Sequence, residues 1–289
     1  MKFAYFPGCS LHSTSSEYDK SFRAVCAALG IELEEPKKWI CCGTTPAHAT
    51  SRLLGAALPV KNLRIMEEQG MTEVVVPCAA CFSRFKCADH DIGKDPQLAA
   101  DVAQAIGAEY GRTVKIRHPL ELFLREDVRA ILRQKVARPL AGLKVACYYG
   151  CLLTRPPEVT QFDDTEYPMS MDLLLRDLGA ETIDWAYKVE CCGASLSLTN
   201  SDIILDLTRK IILDAKARGA LALVVACPLC HVNLDSRQFQ AEEKYQTRLE
   251  MPVLFFSQLI GLALGLSGKE LGTDKHLTDP SAILSAVQA

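Results

Sequence analysis

Short apolar runs alternate with longer amphipathic stretches along the whole chain. The runs at 74–76 and 223–225 are bounded by turn residues and rich in valine, which is typical of buried parallel strands. The segment 201–219 carries its apolar residues at helical spacing, begins with polar residues and ends on glycine, which predicts a helix. Strands that alternate with helices predict an α/β fold with largely parallel sheets flanked by helices.

Two further stretches refine this picture. The segment 51–70 predicts another helix, in which Pro59 would introduce a kink or a split. The apolar stretch 252–266 is interrupted by Ser257, Gln258 and two glycines, and it indicates a buried strand followed by a helix. It falls short of the roughly 18 uninterrupted apolar residues of a spanning helix, so we expect no membrane span.

A cysteine pattern occurs twice along the chain, which indicates a tandem repeat. Each half has a Gly-Cys, a Cys-Cys-Gly and a Cys-x-x-Cys. These elements comprise Cys9, Cys41, Cys42, Cys78 and Cys81 in the first half, and Cys151, Cys191, Cys192, Cys227 and Cys230 in the second. Cys41 to Cys78 is 37 positions and Cys191 to Cys227 is 36. The interval from the Gly-Cys cysteine to the first cysteine of the doublet differs more: it is 32 positions in the first half and 40 in the second, which a loop insertion explains.

The duplication predicts two similar α/β domains. We place the first at 1–138 and the second at 139–289, with the boundary near the segment 138–142, between a charged helix and a strand. The end of the second domain, 268–289, is polar with a short apolar finish. It is either a docking segment for a partner protein or a loosely held tail.

Composition narrows the class of protein. Hydrophobic residues make up 49% of the 289 residues and charged ones 23%, so the chain can bury a core and disorder is not expected. A net charge of -3 without a basic run speaks against nucleic acid as a partner. The N-terminus has no apolar signal segment and the 13 cysteines are odd in number. We therefore expect a reducing, cytoplasmic location, where clustered cysteines bind metal or do redox chemistry.

The repeated cysteines predict a metal site in each half. The Gly-Cys and Cys-x-x-Cys elements follow apolar runs, so they should meet outside the carboxyl ends of parallel strands. Thiolates suit zinc, copper(I) or iron–sulfur clusters. Each half offers five cysteines, whereas a structural zinc takes four ligands. A turn at Gly43 or Gly193 is needed to aim an adjacent pair at one site. We favour iron–sulfur over zinc or free thiols.

The spacing also bears on the type of cluster. Ferredoxins pack their cysteines much more closely in sequence than this chain does. Five ligands exceed the four corners of a cubane. Either one cysteine in each half is spare, or the cluster is not a simple cubane.

This doubled motif, from Phe3 to about Leu266, resembles the CCG domains of the B-type subunit of heterodisulfide reductase. It is shared more loosely by components of glycerol-3-phosphate dehydrogenase, of glycolate and lactate oxidation systems, and of some succinate dehydrogenases. The resemblance implies two noncubane [4Fe-4S] clusters, each held by the five cysteines of one half. It further implies two-electron reductive cleavage of a disulfide of the coenzyme M–coenzyme B type. The implied partners are a ferredoxin-type iron–sulfur protein and a flavoprotein, which are the other two components of such a reductase.

The chain itself is consistent with a component that depends on partners, because it has neither a dinucleotide-binding GxGxxG after a strand nor a ferredoxin run. Two alternatives stay open. One is a CCG protein that relays electrons toward quinone at a membrane, and the other is a non-enzymatic scaffold with structural zinc. The identity of the disulfide and the direction of the reaction are also open.

Several residues outside the repeat are further candidates for function. Cys26, Cys87 and Cys147 are interpreted as core residues rather than ligands. His231, next to Cys230, is a candidate catalytic proton donor to a product thiolate; the alternative is a helix residue bonded to backbone. Arg155 is a candidate contact for an anionic substrate, although a solvated loop charge is favoured.

Overall fold

The computed structural model of the protein describes residues 1–288. It contains two four-stranded sheets, each entirely parallel. Helices flank both sheets. The predicted fold class, two similar α/β domains with parallel sheets, is therefore confirmed, while the boundary between 138 and 139 stays a prediction.

The first sheet and its helices occupy the first half of the chain. Its strands are β1 (Lys2–Tyr5), β2 (Glu32–Glu34), β3 (Glu73–Val75) and β4 (Lys115–Arg117). Its helices are α1 (Gly8–Leu11), α2 (Ser16–Ala28), α3 (Thr44–Thr50), α4 (Arg52–Glu68), α5 (Ala79–Lys94), α6 (Pro96–Ile106), α7 (Pro119–Phe123) and α8 (Glu126–Gln134).

The second half repeats this order. Its strands are β5 (Lys144–Tyr148), β6 (Glu181–Thr182), β7 (Ala222–Val225) and β8 (Val253–Phe255). Its helices are α9 (Pro157–Thr160), α10 (Ser170–Asp177), α11 (Ser201–Ala217), α12 (Pro228–Ser236), α13 (Gln238–Tyr245), α14 (Phe256–Ala263), α15 (Gly268–Leu271) and α16 (Ser281–Gln288). Short 3-10 turns lie at Ala186–Lys188, Ala194–Leu196 and Thr273–Lys275.

The sequence-based helices and strands agree with these bounds. The helix predicted at 201–219 is α11, which Asn200 caps by accepting a hydrogen bond from the Ile203 N–H. The stretch 252–266 forms β8 and α14, as expected. Pro59 lies inside α4 and does not split it.

The strands follow the order β2-β1-β3-β4 in the first sheet and β6-β5-β7-β8 in the second. In each sheet there is one switch point, on either side of which the chain adds strands in opposite directions across the sheet. This point lies between β1 and β3 in the first sheet and between β5 and β7 in the second. Cys9 and Cys78 follow the two strands of the first pair, and Cys151 and Cys227 follow those of the second. Open α/β sheets bind ligands in the crevice at such a switch point, outside the carboxyl ends of the strands. Both cysteine sets therefore begin at the binding crevice of their own sheet.

Helices α2 and α14 join the two halves into one hydrophobic core. The Tyr18 ring of α2 stacks on Phe255 at the end of β8, with ring centroids 4.2 Å apart. The hydroxyls of Ser21 and Ser257 lie 2.7 Å apart in a buried position. The relative placement of the two sheets is therefore fixed by packed rings and a buried hydrogen bond.

The C-terminal segment packs on the chain itself. The Asp235 carboxylate of α12 accepts hydrogen bonds from the backbone N–H groups of Leu277 and Thr278, at 2.8 and 3.0 Å. Lys20 of α2 donates to the carbonyl of Lys269. The described part of the segment is thus held against α2 and α12.

A buried ion pair supports the Gly-Cys turn of the second half. Lys188 Nζ lies 2.9 Å from Asp172 Oδ1, and their side chains are 1% and 0% exposed. Tyr149 Oη donates to the same carboxylate at 2.7 Å. The Lys188 carbonyl accepts from the N–H groups of Tyr149 and Gly150, at 2.8 and 3.1 Å. Lys38 holds the equivalent place in the first half, three residues before its doublet, and is exposed.

This asymmetry yields a stability prediction. Lys188→Met leaves Asp172 as an uncompensated buried charge, so we expect the free energy of unfolding to fall by about 3–5 kcal/mol. Urea-induced unfolding followed by circular dichroism, under anaerobic reducing conditions, measures it. The control Lys38→Met should change the free energy by no more than about 0.5 kcal/mol. Equal effects of the two substitutions would contradict the structural role of the pair.

Candidate metal centres

The turns after the doublets bring adjacent cysteines toward one site. Gly43 and Gly193 adopt left-handed backbone conformations, with φ of 79° and 77°, which residues with a Cβ disfavour. The Gly43 N–H donates to Cys41 Sγ at 3.4 Å, and the Gly193 N–H donates to Cys191 Sγ at 3.3 Å. The turn expected from the Cys-Cys-Gly triplet is present in both halves.

The Gly-Cys turns pack directly on the Cys-x-x-Cys helices. A Cβ on Gly8 would lie 3.1 Å from Cys81 Sγ, and one on Gly150 would lie 3.1 Å from Cys230 Sγ. Both glycines also have positive φ, 68° and 70°. A side chain at either position would press on a candidate ligand, which explains the glycine before Cys9 and Cys151.

In the first half, the thiols of Cys41, Cys42, Cys78 and Cys81 lie close enough together to shift one another's pKa. Cys42 Sγ and Cys81 Sγ lie 3.1 Å apart. Cys9 and Cys41 are the exposed cysteines of the first half. Interaction with the thiols of Cys41 and Cys81 lowers the pKa of Cys42 to about 4, so one thiolate is held among thiols.

In the second half, all five cysteines line one cavity of about 210 Å³. Cys192 Sγ is 3.5 Å from Cys230 Sγ, and Cys151 Sγ is 3.9 Å from Cys191 Sγ. A hydrogen bond from Cys151 lowers the pKa of Cys191 to about 6. Interaction with the thiols of Cys230 and, from the first half, Cys78 lowers the pKa of Cys227 well below its usual value.

These protonation states indicate what each site can hold. Hydrogen bonding to neighbouring thiols and burial raise the pKa of Cys41, Cys81, Cys151 and Cys230, because further negative charge cannot accumulate there without compensation. A bound metal supplies positive charge and deprotonates coordinating thiols. Five convergent sulfurs around one cavity are a donor set for soft, multinuclear metal chemistry.

The two sites meet at the boundary between the domains. Interaction between the thiols of Cys78 and Cys227, one from each half, raises the pKa of Cys78 and lowers that of Cys227, so the two sites adjoin here. His118 lies directly beneath: its Nε2 is 3.2 Å from the Pro77 carbonyl and 3.3 Å from the Ala226 carbonyl. Burial lowers the pKa of His118 to about 4, so the ring is neutral and its Nε2–H is shared by both carbonyls. One imidazole therefore fixes the two Cys-x-x-Cys elements relative to each other.

His231, the candidate proton donor, does not line the cysteine cavity. It is buried, and its ring stacks on Phe255 with centroids 4.3 Å apart. Its Nε2 lies 3.0 Å from the Val253 carbonyl and 2.9 Å from His276 Nδ1. This is the geometry of the alternative interpretation, a helix residue bonded to backbone. The proton-donor role stays a prediction.

The other candidates from outside the repeat lie away from the two sites. Cys26 and Cys147 are buried in the core, in line with their interpretation. Cys87 is half-buried on α5 and does not line the cavity. Arg155 forms an ion pair with Glu166 at 2.9 Å on the loop after the Gly-Cys turn.

Sequence reasoning missed one residue at the cavity. His48 of α3 belongs to the first half, yet it lines the cavity formed by the cysteines of the second. A histidine six positions after Cys42 was the available signal. The sequence could not indicate that it faces the other half, because that depends on how the domains pack.

Comparison with known proteins decides the family. The model of the cysteine-rich domain called CCG matches residues 3–86 and, a second time, residues 145–235. The chain belongs to the CCG cysteine-rich domain family.

Two relatives of this CCG protein match over nearly its full length. It is 33% identical to the 8-methylmenaquinol:fumarate reductase membrane anchor subunit of Wolinella succinogenes, over 98% of this chain and 99% of the relative. It is 30% identical to the B-type component of the ferredoxin:CoB-CoM heterodisulfide reductase of Methanosarcina mazei, over 99% and 97%. The resemblance to this heterodisulfide reductase component is therefore confirmed. Both relatives belong to oxidoreductases, by their names, but to different ones.

A solved structure matches the fold. The crystal structure of a hypothetical protein from Helicobacter pylori superimposes with a TM-score of 0.77 at 14% identity, covering 96% of this chain and 52% of that one. Between residues 1 and 288 of the CCG protein, no helix has the length and apolar character to cross a membrane.

The thiol geometry yields a reactivity prediction for the metal-free protein. Because the pKa of Cys191 is lowered to about 6 and its thiol is exposed, whereas the pKa of Cys41 is raised and Cys42 is buried, iodoacetamide at about pH 7 should label Cys191 before either of them. Labelling of Cys191 should slow about tenfold at about pH 5, where the thiolate is protonated. Peptide mass mapping over time measures both. Cys151→Ala removes the hydrogen bond and should slow labelling at about pH 7; unchanged labelling would contradict the assigned pairing.

Proposed function

We propose that this CCG protein is the catalytic iron–sulfur subunit of a heterodisulfide reductase-like complex. It would cleave a disulfide, of the coenzyme M–coenzyme B type or an analogue, by two-electron reduction at two noncubane [4Fe-4S] clusters. The balanced reaction takes one disulfide, two electrons and two protons to two thiols. The confirmed resemblance to the heterodisulfide reductase component supports the reaction class.

The observation that carries the proposal is the meeting of the two five-cysteine sites at Cys78 and Cys227: His118 Nε2 lies within hydrogen-bond distance of the carbonyls of Pro77 and Ala226, the residues directly before these cysteines. Disulfide cleavage needs two electrons at two neighbouring sulfur atoms. Two adjoining clusters would supply one electron to each sulfur. His118 holds the two Cys-x-x-Cys elements in register, so the spacing between the sites is set by the fold.

The thiol sets favour a cluster that is not a simple cubane. All five cysteines of the second half line one cavity, so none is set aside as a spare residue. The first half repeats the turns that aim its doublet and its Gly-Cys element. We assign the ligands as Cys9, Cys41, Cys42, Cys78 and Cys81 for one cluster, and Cys151, Cys191, Cys192, Cys227 and Cys230 for the other.

Electrons would reach these sites from partner proteins. Cys9, Cys41 and Cys191 are exposed, so each site has an open side. We infer that a ferredoxin-type iron–sulfur protein and a flavoprotein of the same complex serve as donors, as the resemblance implies, and that the complex works in the cytoplasm.

A second candidate function rests on the Wolinella relative. Because that protein is the membrane anchor subunit of a quinol-linked fumarate reductase, the same scaffold could relay electrons between quinone and a partner enzyme. In that case the two clusters would transfer electrons without binding a disulfide. Reduction of a disulfide by the isolated protein separates the two functions.

Metal content tests the ligand assignment. Anaerobically purified protein should hold about eight iron and eight sulfide per chain, which fits two four-iron clusters. Cys42→Ser and Cys192→Ser should each damage one cluster and leave about half of the iron. Iron and acid-labile sulfide analysis, with electron paramagnetic resonance, measures this. Zinc in place of iron, or two intact clusters in both variants, would rule the assignment out.

Disulfide reduction tests the activity. Chemically reduced protein should reduce coenzyme M–coenzyme B disulfide or a simple dialkyl disulfide, with two thiols formed for every two electrons consumed. Thiol quantification against reoxidation of the clusters measures the ratio. If all disulfides remain intact while a quinone analogue reoxidises the protein, the relay function is the correct one.

A further inference from the structure

We propose that His48 is a catalytic residue: its Nε2 delivers the proton to the substrate sulfur that departs at the cavity of the second half. This inference rests on the proposed function and names one of its two proton donors. It assigns a residue of the first domain to chemistry at the cysteines of the second.

The local structure holds the imidazole at the mouth of the cavity. Helix α3 begins directly after the turn at Gly43, and His48 is exposed on it. His48 Nδ1 lies 3.1 Å from the Thr44 carbonyl, one helical turn earlier. When Nδ1–H donates to this carbonyl, the lone pair of the imidazole lies on Nε2, which is the atom that takes up and returns a proton.

Close packing fixes the position of this part of α3. A Cβ on Gly55 of α4 would lie 2.9 Å from both the Cα and the Cβ of His48. The two helices therefore touch at backbone distance beneath the imidazole. Any side chain at position 55 must displace His48.

Few of the other described side chains that line the cavity could donate a proton to the substrate. Its described lining consists of the five cysteines, apolar side chains, Ser195, Tyr149 and His48. The Tyr149 hydroxyl is already committed: it donates to Asp172 and accepts from the Met171 N–H at 2.7 Å. Among these described residues, His48 is the one imidazole, and it faces the thiols from the opposite domain.

The proton balance of the step is simple. Reduction of the disulfide breaks the S–S bond, and two electrons go to the two sulfurs. One sulfur leaves the cavity as a thiol, and its proton comes from the imidazolium at His48 Nε2, which becomes neutral. Solvent then restores the proton to the exposed ring. A positioned general acid of this kind contributes about 100-fold or more to rate.

The duplication does not repeat this residue, which provides a matched control. Leu198 stands seven residues after Cys191, as His48 stands seven after Cys41. Leu198 is 99% exposed and does not line the cavity. His48 therefore makes the two sites different. The proton for the other product thiol must come from another source.

The first experiment varies the acidity of the leaving thiol. Reduced protein is assayed with hydroxyethyl disulfide, whose thiol is weakly acidic, and with dithiobis(nitrobenzoate), whose thiolate leaves without a proton. His48→Gln should lower kcat/KM for hydroxyethyl disulfide about 100-fold and that for dithiobis(nitrobenzoate) less than about threefold. Leu198→Gln should change neither. Equal losses on both disulfides in His48→Gln would overturn the proposal.

A second measurement does not depend on turnover. Mercaptoethanol that binds at the cavity as its thiolate releases a proton, which His48 Nε2 should capture. Calorimetry of mercaptoethanol binding, in two buffers of different ionisation enthalpy, counts the protons that reach solvent. His48→Gln should release about one proton more per bound thiol than the parent protein, at unchanged iron content. The same proton count in both would overturn the proposal.

Gly55→Ala tests the position of the ring without removing it. It should shift His48 and reproduce the selective loss on hydroxyethyl disulfide with the iron content intact. A wild-type protein that reduces no disulfide would refute the proposed function and this inference together. Wild-type activity with an unaffected His48→Gln variant would refute the inference alone.

Discussion

The contact between Cys78 and Cys227 is the point on which the rest of the structure depends. Two unit charges 4 Å apart in a partly buried site interact by about 4 kcal/mol, so ten converging thiols cannot all ionise unaided. The metal-free protein responds by sharing hydrogen bonds among sulfurs and keeping a few low-pKa thiolates. A bound positive centre would offset that cost.

The residues that support the two thiol sites are arranged around this limit on negative charge. Glycines stand where the backbone approaches a sulfur atom, as Gly8 approaches Cys81. His118 shares its one proton between two carbonyls, one from each half, and so links the helices that carry the Cys-x-x-Cys pairs. The packed rings of Tyr18 and Phe255 hold the same boundary from the other side.

The two halves have the same order of strands and cysteines, but equivalent residues in them have different neighbours. Lys188 is buried with Asp172 under the second Gly-Cys turn, whereas Lys38, at the matching position, is exposed. His48 lines the cavity, whereas Leu198, at the matching position, does not. Such differences let a duplicated scaffold assign different tasks to equivalent sites. They also fit relatives that serve different oxidoreductases, because function depends on the site and its partners more than on the fold.

The sequence by itself determined the local features of this protein. The doubled cysteine spacing and the short apolar runs predicted the two parallel α/β domains, and the triplet predicted the turn at each doublet. These depend on neighbours along the chain, where strand and helix periodicity and glycine conformations act. Ten cysteines could therefore be grouped into two sets from their order and spacing alone.

Only the tertiary structure decided which side chains from distant parts of the chain lie next to each other. The meeting of Cys78 with Cys227 and the reach of His48 into the other half depend on how the two halves pack, as α2 and α14 do. The orientation of His231 and the burial of Lys188 depend on tertiary contacts within the second half, with Phe255 and with Asp172. Side chains at equivalent sequence positions meet different neighbours once two domains share a core, and spacing along one chain carries no information about those neighbours.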